Sequence, residues 1–100
     1  MKRKKKEKAQ KLLAEVAQEY AFHRYDGRVL RSMQELSDAL SVMTDATFGY
    51  WNTEKKDLSN WVRDIIGDVQ LAKDLEKATS RSLAAWEVVT RMAYLAKQLP

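Results

Sequence analysis

The chemistry-bearing side chains of this chain concentrate in its middle, where Asp57, Asn60, Asp64 and Asp68 fall within residues 52–72. Asp57 and Asp64 are seven positions apart. On a helix that spacing places them on one face, two turns apart, with Asn60 beside them. Clustered oxygens of this kind suit a hard divalent cation. A structural account explains more of them. Asp57 lies near a helix start, where negative charge is favoured. Asp68 follows Gly67 in the position of an N-cap, a role worth about 1 kcal/mol. Asp64 can pair with neighbouring cations. Together with Trp51, the residues Asp57, Asn60 and Asp64 form a candidate interaction surface rather than a metal or acid–base site.

Other routes to catalysis are closed by composition. The chain has no cysteine, which excludes disulfides, thiolate metal sites and cysteine nucleophiles, and which fits a reducing compartment. His23 is the single histidine, so a His-rich metal site is impossible and any Ser-His-Asp triad must use it. It sits between Phe22 and Arg24 in a predicted strand, where a structural role is expected. Gly27, Gly49 and Gly67 are isolated, so none builds a phosphate-cradling loop; each reads as a turn or a cap. The expectation is no enzyme, no catalytic residue, no cofactor and no metal.

Charge is strongly segregated. The net charge is +4, but residues 2–11 hold Lys2, Arg3, Lys4, Lys5, Lys6, Lys8 and Lys11 against Glu7 alone, a net +6. Residues 12–100 carry 11 cations and 13 carboxylates, a net −2. These seven cations are candidate phosphate contacts, with affinity that would fall steeply with salt. They suit an anionic membrane surface as well, or a solvated tail that aids solubility. No apolar run approaches the roughly 20 residues of a membrane span. Leu12-Leu13-Ala14 runs directly into Glu15, so the basic start is not followed by the apolar core of a signal peptide. A cytoplasmic protein is expected.

The elements that must position these groups follow from periodicity. Ala9, Leu12, Leu13, Val16, Ala17 and Tyr20 share one arc, predicting a helix over about 5–20. Asp26-Gly27 lies between short aromatic and β-branched runs and predicts a hairpin at about 20–32 with a two-residue loop. Its alternation is imperfect, since Arg24 and Arg31 share a face with Phe22 and Val29. Ser32-Met33-Gln34-Glu35 is a capping box ahead of Met33, Leu36, Leu40 and Met43. Thr44 or Asp45 caps a turn through Phe48, which Gly49 breaks. Thr53 caps a helix that buries Leu58, Trp61, Val62, Ile65 and Ile66. Gly67 ends it in the left-handed conformation, and Asp68 caps a helix carrying Val69, Leu71, Ala72 and Leu75. Thr79 or Ser80 starts a last helix over about 81–98. Its apolar face holds Ala85, Val88, Val89, Met92, Leu95, Ala96 and Leu99, with Trp86 and Ala93 at one edge. The predicted fold is mainly α: a basic N-terminal extension over 1–19 and one compact helical domain over 20–100, centred on Trp61, Ile65, Leu71, Trp86 and Met92. Chains of this length support a single core.

The order of these features resembles a small archaeal and bacterial domain family of unknown function. The resemblance rests on Phe22, Asp26-Gly27, Ser32 to Leu36, Met43 with Phe48, Asn52, Lys55 to Asp57 and, most specifically, Asn60-Trp61-Val62-Arg63-Asp64-Ile65-Ile66-Gly67-Asp68-x-x-Leu71-Ala72. It covers about residues 20–78. The chain departs from it at Tyr50-Trp51, where the family pattern has a histidine, and at Leu58, which replaces a phenylalanine. The resemblance implies a compact helical module and no enzyme activity. The expected function is therefore a non-enzymatic interaction module for a protein partner. The alternative is a nucleic-acid or ribonucleoprotein accessory protein that contacts phosphates through its lysine-rich start. Neither the partner's identity nor the oligomeric state follows from the residues.

Overall fold

The computed structural model describes residues 2–23, 27, 29–51 and 57–99, with side chains except at 2, 3 and 51. Helix α1 (Lys2–Leu13) leads through a 3-10 turn (Gln18–Tyr20) to an antiparallel hairpin of β1 (Phe22–His23) and β2 (Val29–Leu30). Then come α2 (Met33–Val42), α3 (Asp45–Trp51), α4 (Asp57–Trp61) continuing as a π-helical turn (Val62–Ile66), α5 (Val69–Lys77) and α6 (Arg81–Ala96). The fold is mainly α with one short hairpin, as the periodicity predicts. Helix α6 is the common support: α1, α2, α3 and α5 all pack on it.

The first helix is shorter than its apolar arc suggests. It stops at Leu13 because the following backbone finds other partners. The Val16 amide donates to the Arg31 carbonyl at 2.7 Å, and Arg31 Nε donates back to the Val16 carbonyl at 3.1 Å. Ala9 and Leu12 are buried, Leu13 and Val16 are half-buried, and Ala17 and Tyr20 are exposed. The first two belong to the same core as the other helices.

The hairpin register pairs Phe22 with Leu30 and His23 with Val29. A two-residue loop at Asp26-Gly27 would pair His23 with Leu30 instead, so that expectation is off by one residue. Asp26, like Arg24, lies outside the described residues; Gly27 has φ +90°. The register puts Leu30, not Val29, on the core side with Phe22. Phe22 leans on Trp61 with ring centroids 5.4 Å apart, and Trp61 Nε1 donates to the Tyr20 carbonyl at 2.8 Å. Two strands alone are marginal, and this indole supplies the support they need.

Local caps explain most helix starts. Ser32 Oγ accepts from the Glu35 amide at 3.1 Å, while Glu35 reaches back to the Arg31 amide at 2.6 Å, one residue earlier than the usual box. Thr44, rather than Asp45, caps α3. Asp45 instead pairs with Arg81 at 3.4 Å. Gly49 does not break α3, which runs on to Trp51. Ser80, rather than Thr79, caps α6. The expected cap Thr53 lies outside the described residues.

Two apolar side chains assigned to the core are turned outward. The π-helical turn widens the spiral after Trp61, with the Gly67 amide donating five residues back to Val62 at 2.8 Å. Ile66 then points inward and Ile65 outward, 37% exposed. Trp86 is 60% exposed and Val89 54%, because α6 buries the stripe of Ala84, Val88 and Leu95 on its other side. Ala96 is exposed too, and so is Val69 on α5. Trp61 and Leu71 are buried as expected, and Met92 is half-buried.

Candidate functional site

The acidic residues of the middle segment do not converge. The π-helical turn begins at Val62, between Asp57 and Asp64. Arg63 occupies both of the next two groups: Nε lies 3.0 Å from Asp64 Oδ1, and Nη2 lies 3.0 Å from Asn60 Oδ1. The Asp64 carboxylate accordingly raises the Arg63 pKa. Asp57 is half-buried at the start of α4, and the side chain of Trp51 lies outside the described residues. His23 is exposed on the hairpin opposite Val29. Among the described residues, no group of three or more His, Asp or Glu is placed to hold a metal ion.

Asp68 behaves differently from its neighbours. Its side chain is 1% exposed and has two jobs. Oδ1 accepts from the Leu71 amide at 3.0 Å, capping α5. Oδ2 accepts from Arg91 Nε at 2.7 Å, tying α5 to α6. Arg91 stands three residues after Val88 and four before Leu95, so it sits on the buried stripe of its helix. A cation there needs a partner, and Asp68 is that partner.

Beside Arg91 the lysine-rich helix closes a cleft. Burial of Ala9 and Leu12 fixes α1 against α6, which brings Lys5 and Lys8 next to Arg91, Tyr94, Leu95 and Gln98. The cleft has a volume of about 160 Å³. The Arg91 guanidinium carbon lies 5.2 Å from the centre of the Tyr94 ring. Lys4, Lys6 and Lys11 are exposed along the same helix, and the side chains of Lys2 and Arg3 lie outside the described residues. The sequence reading missed Arg91, Tyr94 and Gln98. A lone arginine on the buried stripe of α6 was the available signal.

One turn before Arg91 on α6, Glu87 faces Asp74 of α5. Burial, and then the charge and hydrogen bonding of Asp74, hold the Glu87 carboxyl above its usual range. A carboxyl whose pKa is raised by folding stabilises the folded state as pH falls, and that contribution is lost as pH rises through the folded pKa. Glu87→Gln should therefore raise Tm at pH 7 by about 1–3 °C, the scale of a partly exposed charge pair. Thermal melts from pH 7 to pH 4 should show the advantage shrinking. An undiminished gain at pH 4 would assign it to another cause.

No protein family, curated protein or solved structure matches this chain. Fold and site together define a small mainly α domain with an apolar outer helix face and a cationic cleft. No described helix is long and apolar enough to cross a membrane.

Proposed function

We propose that this protein is a non-enzymatic interaction module that binds a protein partner through the outer face of α6. The observation that carries this reading is the exposure of Leu83, Trp86 and Val89 on one side of that helix, with Ala93 beside them. The charged residues between Arg81 and Lys97 are Glu87 and Arg91, and both are half-buried. An uncharged strip with a central tryptophan has the composition of an interface hot spot. A cytoplasmic setting fits the absence of cysteine.

Capture from native lysate tests the reading, with the parent protein compared against Trp86→Ser/Val89→Ser. Both positions face solvent, so the double variant should fold. The expected result is a protein partner that resists nuclease and drops at least tenfold with the double variant. Equal capture by both proteins would overturn this face as the binding surface.

A second reading is supported by the lysines of α1. Lys4, Lys5, Lys8 and Lys11 are exposed on a helix held in place by its own buried residues, so their charges form a fixed track rather than a loose tail. Such a track suits the phosphates of a nucleic acid.

A further inference from the structure

We propose that the cleft between α1 and α6 is a phosphate-binding site that seats the backbone of a single-stranded nucleic acid, with Tyr94 receiving the adjoining base. This rests on the second reading above and gives it a location.

Arg91 is the anchor. Its side chain is 18% exposed, and its position is set by a buried carboxylate that is itself held by a helix cap. Asp68 uses only the Nε donor; among the described residues, Nη1 and Nη2 make no hydrogen bond and remain available to an anion. A guanidinium immobilised in this way loses little freedom on binding, and its planar fork matches phosphate geometry. Charge also favours an anion. Asp68 offsets Arg91, and Lys5 and Lys8 leave the cleft with two further cations.

Size and surroundings narrow the ligand. The cleft, about 160 Å³ between Lys5, Lys8 and Arg91, has room for a phosphate group. The half-exposed Tyr94 ring at its edge offers an adjoining base a stacking surface beside Arg91. From Lys4, the exposed Lys8 and Lys11 carry the cationic track along α1, the first step being about 6 Å of helix rise. A membrane fits less well. The apolar residues Ala9 and Leu12 of α1 are buried, and a helix that binds a bilayer needs an exposed apolar face to insert.

The test is fluorescence anisotropy of the full chain with a labelled oligo-dT 12-mer across a salt series. Lys5→Gln/Lys8→Gln should weaken binding about tenfold and reduce the salt slope by about 1.4, at 0.7 per lost contact on a single strand. Tyr94→Ala should weaken binding several-fold with the slope unchanged. Lys6→Gln, on the same helix but outside the cleft, should change affinity less than twofold. All of these positions are exposed, and circular dichroism checks that each variant folds. If the parent binds no oligonucleotide, the nucleic-acid reading fails and the site with it. If the parent binds and Lys6→Gln weakens binding as much as either cleft lysine does, the track binds nucleic acid but the cleft is not a site. Binding to anionic phospholipid vesicles in place of the oligonucleotide would overturn the proposal in favour of a membrane surface.

Discussion

Asp68→Ala is expected to lower the stability of the domain by about 3–5 kcal/mol, as removal of one partner from a buried ion pair does. Two losses combine. The cap on α5 goes, since the Leu71 amide donates to Asp68 Oδ1, and a lost cap costs about 1 kcal/mol. Arg91, mostly shielded from water, is left without the carboxylate 2.7 Å from its Nε. Domains of this size hold only about 5–10 kcal/mol in total, so the variant should approach the threshold of folding. Urea denaturation measures this directly, with the m-value checking that the unfolding transition remains two-state. Asp68→Asn separates the two contributions, because its amide oxygen can still cap while the charge is gone; it should cost roughly half as much. Asp68→Ala combined with Arg91→Met should recover part of the loss, since the orphaned guanidinium is removed along with its partner. If the double variant is no more stable than Asp68→Ala alone, the pair does not account for the cost.

Asp68 also marks the boundary between what was legible in the sequence and what was not. Its role as an N-cap is local: the carboxylate and the amide it accepts from are three residues apart, next to a glycine with φ +94°. The same holds for Ser32 and Ser80, and all three caps can be read from a window of four residues. Its second partner, Arg91, is 23 residues away, and no local pattern joins them. Ile65 was misread for a related reason. Periodicity assumes an unbroken α-helix, and a π-helical turn shifts the phase by part of a turn. Trp86 was misread because α6 has apolar residues around most of its circumference. Its wide arc exceeds what the neighbouring helices cover, and the identity of the residues does not say which stripe they choose. The cleft combines a lysine run that composition reveals with three residues of α6 that only packing brings beside it.

The placement of α1 leads to the second large effect. Leu12→Ala should cost about 2–4 kcal/mol, as deletion of a buried leucine side chain does when the surroundings only partly collapse. Leu12 is 3% exposed, and its Cδ2 would lie 3.8 Å from a Cβ added at Gly67, at the junction of α1 with the π-helical turn. The sequence reading drew a boundary between a basic extension over 1–19 and a domain over 20–100, and this variant tests it. A helix that shares the common core should unfold with it, so Leu12→Ala should shift the single denaturation transition of the whole chain to lower urea. A separate appendage would leave that transition in place and lose only a fraction of the helical signal at low denaturant. The consequence extends to the cleft, since Lys5 and Lys8 reach Arg91 only while α1 is docked on α6. Urea that unfolds Leu12→Ala but not the parent should therefore abolish oligonucleotide binding in the variant alone, although no cation has been removed.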